Sequence, residues 1–127
     1  MTSHVEPISL GSFDFRFTGD VLKTYRKALG FPEGDEVPVT FAARALTEPA
    51  VLAKLHSVCG EQIPIHIEQS FDVTETLRPG MDYKVIMVLD ILQDSRMRLT
   101  GTFTDPSNGV CVVMRSEFLL VQSAALK

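Results

Sequence analysis

A change of hydrophobic period at Ile63 constrains this chain more than any other feature. Before it, apolar residues mostly recur at helical spacing; after it, they alternate. Ile65, Ile67, Phe71 and Val73 mark a long strand over residues 63–73, with a bulge expected near Gln69. Residues 83–92 form a second strand, nearly continuous in apolar side chains. In residues 96–104, Met97, Leu99, Gly101 and Phe103 alternate with Arg98, Thr100 and Thr102, and residues 110–121 complete the run. Period two belongs to strands, because successive side chains leave opposite faces of a pleated backbone. The separators are turn formers: Leu77-Arg78-Pro79-Gly80, Asp94-Ser95, and Asp105-Pro106-Ser107-Asn108-Gly109, whose Asn-Gly pair accepts positive φ. Short turns between consecutive strands predict antiparallel neighbours.

The first half reads differently. In residues 12–17, Phe13, Phe15 and Phe17 alternate with Asp14 and Arg16, a short strand. Val21, Leu22, Tyr25, Ala28 and Leu29 then fall on one face of a helix, with Thr18 or Asp20 to cap its start and Gly30 to close its end. Residues 31–38 hold Pro32, Gly34 and Pro38 and form a loop. Pro49 divides the next stretch into helices at residues 39–47 and 48–58, with Thr47 capping the second. One sheet and such apolar helices must bury each other. The expected class is α+β: an antiparallel sheet of about five strands wrapped around a central helix, the hotdog architecture. It is read as a single domain over residues 1–127, with its folded core in residues 10–121.

Composition excludes several functions. The 45% hydrophobic content fills a sizeable core, and a net charge of -4 offers no basic face for nucleic acid. No apolar run is long enough to span a membrane. The start lacks the basic and apolar regions of a secretory signal, so the expected location is cytoplasmic. Cys59 and Cys111 are distant and sit in apolar surroundings, and are read as buried free thiols in a reducing compartment. There is no CxxC, and His56 with Cys59 is the one close histidine–cysteine pair, so neither metal nor cofactor is expected.

Three stretches carry a family resemblance: Tyr25-Arg26-Lys27-Ala28-Leu29-Gly30; Val37-Pro38-Val39-Thr40-Phe41; and Ile65-His66-Ile67-Glu68-Gln69-Ser70-Phe71, followed by Leu77-Arg78-Pro79-Gly80-Met81. Their order and spacing resemble the N-terminal-type domain of the MaoC-like hydratase/dehydratase family over roughly residues 10–121. The resemblance implies acyl thioesters of coenzyme A or acyl carrier protein as ligands, and reversible addition of water across a 2-enoyl thioester. It implies that the backbone N–H groups of Val39, Thr40 and Phe41, opening the hotdog helix, bind the thioester oxygen, where negative charge develops. It also implies an Asp-x4-His pair just before that helix. Here the sequence departs: Asp35 is present, but no histidine follows it before His56. The resemblance then implies a role that family domains without the pair often have, the non-catalytic half of a fused or two-subunit enzyme. The implied assembly is a homodimer, or a heterodimer with a second MaoC-like chain.

The remaining candidates come from side-chain chemistry. His66 is read as a polar contact in the thioester site or as a structural histidine at a subunit contact, and Glu61 with His66 as a relocated acid–base pair. Gln69 is a substrate-binding candidate beside His66, and Arg78 either contacts the phosphates of coenzyme A or is a solvated turn residue. Glu48 either complements a helix dipole or, with Glu61 as its rival, activates water as a helix carboxylate does in hotdog thioesterases. A thioesterase and a ligand-binding hotdog protein without turnover are therefore the alternatives to a hydratase-type subunit.

Overall fold

The computed structural model describes residues 7–30, 45 and 48–122. The loop at 31–38, the first helix expected after it, and with them Asp35, Val39, Thr40, Phe41 and Thr47, lie outside the described residues. The elements are β1 (Ile8–Phe15), α1 (Gly19–Ala28), α2 (Pro49–Cys59), β2 (Gln62–Val73), β3 (Tyr83–Ile91), β4 (Arg96–Thr104) and β5 (Val110–Gln122). The strands form one sheet in the order β1-β3-β4-β5-β2, every neighbouring pair antiparallel.

Local chemistry sets the boundaries. Thr18 Oγ1 accepts from the Val21 N–H at 3.2 Å, so Thr18 caps α1, and Arg26 and Lys27 in the last turn complement its dipole. Gly30 follows with φ 73°, a left-handed conformation that glycine adopts without a Cβ clash. Pro49 opens α2, where its missing N–H costs nothing. The cap of α2 is Glu48, not Thr47 as expected, and the Glu48 side chain makes no capping hydrogen bond. Asp94 and Ser95 both take φ near 60° (60° and 59°), giving the mirror-image turn that matches strand twist between β3 and β4. At the next hairpin the Asp105 carboxylate accepts from the N–H groups of Ser107 and Gly109, each at 2.9 Å, with Asn108 at φ 67°.

Two expectations need correction. β2 does not pair with β3; it pairs with β5 at the outer edge, and β3 lies between β1 and β4. The link between β2 and β3 is packed down instead of turning back. Leu77 is buried, the Arg78 N–H donates to the Tyr83 hydroxyl at 2.6 Å, and the Gly80 N–H donates to the Phe17 carbonyl at 2.8 Å. That last bond delivers the chain to the end of β1, where Tyr83 faces Phe15. Secondly, β1 begins at Ile8 and ends at Phe15; Gly11 at φ 90° forms a bulge that keeps Ile8 and Ser9 in the ladder. The bulge expected near Gln69 is present in β2, between His66 and Glu68.

One face of the sheet is the core face. Val85, Met87 and Leu89, then Met97, Leu99 and Phe103, then Met114 and Ser116 are fully buried. α2 contributes Val51, Leu55 and Cys59, spaced by four, to the same cluster. Burying each Val or Leu side chain contributes about 1.5–3 kcal/mol. Gly101 stands where a Cβ would come within 3.0 Å of Met87 Sδ and 3.3 Å of Met114 Cε, so the methionines fill the space that a side chain would take.

Candidate functional site: a cleft at the start of the second helix

The C-terminal end of β1 and the first turn of α2 enclose a half-open cleft of about 280 Å³, lined by Asp14, Phe15, Arg16, Phe17, Ala45, Glu48 and Pro49. Strand alternation builds one wall. Phe15 is half-buried and Phe17 buried, while Asp14 and Arg16 are exposed. Phe15 stands edge-on to the buried Phe103, ring centroids 5.4 Å apart at 89°, and 6.0 Å from Phe17. Phe15 and Phe17 line the cleft, while Phe103 belongs to the core and packs against Phe15. The other wall is the helix start. There the N–H groups of Val51 and Leu52 both donate to the Glu48 carbonyl at 3.0 Å, closing the first turn on itself. Glu48, half-buried and with no side-chain capping bond, lines the cleft at the helix start. Arg16 balances part of the acidity and reaches Asp82 at 3.5 Å in an exposed pair.

The lining offers two carboxylate residues, Asp14 and Glu48, a guanidinium from Arg16, and the apolar side chains of Phe15, Phe17, Ala45 and Pro49. The chain has three histidines. His66 belongs to β2 at the edge opposite β1, so four strand spacings of about 4.8 Å separate them along the sheet. His56 is exposed farther along α2, and His4 lies outside the described residues.

His66 is exposed and stacks on Phe118, ring centroids 5.0 Å apart, with Nε2 at 2.9 Å from the Glu68 carbonyl. A carbonyl only accepts, so Nε2 is the donor in this bond. Glu61 is exposed in the turn between α2 and β2. No ion pair joins it to His66 among the described residues. Gln69 has both ends of its amide engaged: Oε1 accepts from the fully buried Ser116 hydroxyl at 2.7 Å, and Nε2 donates to the Arg115 carbonyl at 3.1 Å. Arg78 is exposed, and its backbone, not its guanidinium, makes the bond to Tyr83. The structure therefore brings together Asp14, Arg16 and Glu48, and disperses His66, Glu61, Gln69 and Arg78. Sequence reading singles out Glu48 but misses Asp14 and Arg16, because nothing local in an alternating strand marks where it will meet a helix.

Elsewhere, Cys59 and Cys111 are buried free thiols, and burial pushes both above the ordinary thiol range. Burial also raises the Tyr83 phenol. Glu75, Asp105 and Cys111 place one donor atom each within 4.8 Å of one another. No described helix is long and apolar enough to cross a membrane.

No family model matches the sequence, and no curated protein does. Solved structures match along most of the chain. The C-terminally truncated HadBC (3R)-hydroxyacyl-ACP dehydratase complex from Mycobacterium tuberculosis contains a chain that superposes with TM-score 0.76 at 9% identity, covering 94% of this chain and 100% of that one. A hot-dog-like protein from Thermanaerovibrio acidaminovorans gives TM-score 0.69 at 16% identity, covering 97% and 86%. A hypothetical thioesterase superfamily member from Thermus thermophilus gives 0.71 at 12%, covering 99% and 90%. At these identities the likeness establishes the fold, which is a hotdog.

Proposed function

We propose that this protein binds acyl thioesters as a MaoC-like, hydratase/dehydratase-type hotdog subunit whose partner chain supplies the missing proton-transfer groups. The observation that carries this reading is the cleft itself: a carboxylate stands at the helix start with no histidine of the described chain beside it. Hydration of a 2-enoyl thioester needs two proton movements. One group takes a proton from water as its oxygen bonds C3, and another delivers a proton to C2 as the enolate collapses. Glu48 and the exposed Asp14 are the carboxylates of the lining, and neither has an imidazole of the described chain beside it to share the two transfers. The likeness to a chain of a dehydratase complex supports the same reading. So does the β2 edge, where Ile63, Ile65 and Ile67 are 38%, 39% and 44% exposed on a strand with one side unpaired, a surface suited to a second hotdog chain or another copy. The test is loss of enoyl absorbance from crotonyl-CoA, with this chain alone and with a candidate partner carrying Asp-x4-His. Hydration by the chain alone would sink the subunit reading.

One observation favours a second reading. The Glu48 side chain makes no capping bond and the residue lines the cleft, which leaves a carboxylate available as a base that activates water. Its carboxylate would take a proton from water, the hydroxyl would bond the thioester carbon, and collapse of the tetrahedral intermediate would break C–S, the proton returning to the departing thiolate. Release of free coenzyme A thiol in the same assay, abolished by Glu48→Gln, selects this thioesterase reading over the first.

A further inference from the structure

We infer that Glu75, Asp105 and Cys111 form a binding site for Zn²⁺ that ties the exit of β2 to the β4–β5 hairpin. The site shares no residue with the cleft, and its test does not depend on the function proposed there. One donor atom from each residue lies within 4.8 Å of the other two, and Cys111 Sγ stands 3.9 Å from Asp105 Oδ2. Around a tetrahedral Zn²⁺, with Zn–S of about 2.3 Å and Zn–O of about 2.0–2.2 Å, donors stand about 3.4–3.6 Å from one another. The three side chains therefore need to close by about 1 Å, which rotamer adjustment supplies.

The backbone holds the donors in place. The Cys111 carbonyl accepts from the N–H groups of Thr74 at 2.8 Å and Glu75 at 3.1 Å, which sets Glu75 beside Cys111. Asp105 spends Oδ1 on the Ser107 and Gly109 N–H groups, each at 2.9 Å, and so turns Oδ2 to the thiol. Gly109 leaves room for that oxygen, since a Cβ there would stand 3.0 Å from it. Cys111 is 2% exposed. Its thiol is a weak donor, with long contacts to Oδ2 and, at 3.6 Å, to the Gly109 carbonyl, which already accepts from the Asp105 N–H. The thiol's burial and the aim of Oδ2 place a soft donor and two hard ones in one corner. That set suits Zn²⁺, and the thiolate selects against Mg²⁺ and Ca²⁺, which take oxygen ligands. As the Zn–S bond forms, the thiol proton passes to solvent. Three protein ligands leave the fourth position to water.

The experiment uses the full chain, treated with chelator and kept reduced. Co²⁺ is expected to bind one per chain with a sulfur-to-cobalt charge-transfer band, and one equivalent of Zn²⁺ to bleach it. Zn²⁺ at a hundredfold excess over its Kd is expected to raise Tm by about 8 °C, and Mg²⁺ or Ca²⁺ to leave it unchanged. Cys111→Ser is expected to lose the band. Glu75→Gln and Asp105→Asn are expected to weaken Zn²⁺ by about 100-fold, the upper end of what loss of an outer-shell partner costs. Glu75 is exposed, so its variant decides the matter if Cys111→Ser does not fold. His56→Ala, on the other close histidine–cysteine pair, is expected to leave the band intact. No charge-transfer band, a band that survives Cys111→Ser, or Zn²⁺ affinity unchanged in Glu75→Gln would overturn the site. Loss of the band in His56→Ala would overturn it too, by placing the ion at His56 and Cys59.

Discussion

Replacing Phe103 by alanine tests whether the ring packed edge-on against Phe15 is a pillar of the core. Phe103 is 0% exposed and meets Phe15 edge-on at 5.4 Å. Deleting a buried phenyl ring costs about 3–5 kcal/mol, and an edge-on aromatic pair contributes about 0.5–1.5 kcal/mol of such a loss. The partners on either side, Val85 on β3 and Val112 on β5, are fixed by the ladder and cannot slide into the gap. About 4 kcal/mol is therefore expected, a large part of the 5–15 kcal/mol typical of a whole domain. For a chain of this size that lowers Tm by about 12–16 °C. Urea unfolding followed by circular dichroism measures it. The control is Ile86→Ala on the adjacent strand, where the side chain is 43% exposed on the other face, and about 1 kcal/mol or less is expected. A Phe103→Ala cost below about 1.5 kcal/mol, or equal to that of Ile86→Ala, would refute the assignment of the two faces.

Glu48→Gln should leave Tm within about 1 °C, because the side chain makes no capping bond, yet it should abolish any thiol release; a drop of several degrees in a melt would show a structural role instead. Alkaline pH should destabilise the protein. Both thiols and Tyr83 are raised by burial, so their contribution is fully present below about pH 8.5 and is lost as pH rises through the folded values; a Tm flat from pH 8 to pH 11 would contradict this. Asp94→Asn with Ser95→Gly should raise stability by about 0.5–1 kcal/mol, since both positions already hold positive φ, as checked by denaturant midpoint. Gly101→Val should cost about 1–3 kcal/mol by overpacking Met87 and Met114, and Gly101→Ala less, because methionine termini can shift.

The strands are legible in sequence because a half-buried strand writes its burial as period two. β4 matches at both ends, and Met97, Leu99 and Phe103 are all fully buried as the alternation implies. The turns are legible for a different reason: Asp94, Ser95 and Asn108 have to hold positive φ, and the residue types there allow it. Strand order is not legible from turn length. The link between β2 and β3 has turn-forming residues, and what keeps it from making a hairpin is a long-range bond from the Gly80 N–H to the Phe17 carbonyl. The cleft is illegible for the same reason. Asp14, Arg16 and Glu48 are brought together by the docking of α2 beside β1, and no spacing in the sequence encodes that meeting. The His66–Glu61 pair has the opposite fault: close spacing across a helix-to-strand turn does not converge, since strand and turn project their side chains independently.

One residue does carry the missing strand order. The Leu120 N–H donates to the Ser95 carbonyl at 2.7 Å, so the backbone of Leu120 in β5 points towards β4. N–H and C=O of one strand residue point to the same side, and Leu120 therefore offers β2 nothing. Its partner across the ladder is Pro64, which has no N–H to offer in return. The proline ring nitrogen faces away from β5, towards the open edge of the sheet. A proline inside a strand is tolerated at an edge or a bulge and almost nowhere else. Pro64 thus argues against a central place for β2 from residue type alone, and it points to the edge position that the ladder shows. It also blunts that edge. With Pro64 removing one donor and the bulge between His66 and Glu68 breaking the ladder, an incoming strand finds regular pairing in the half of β2 that follows the bulge.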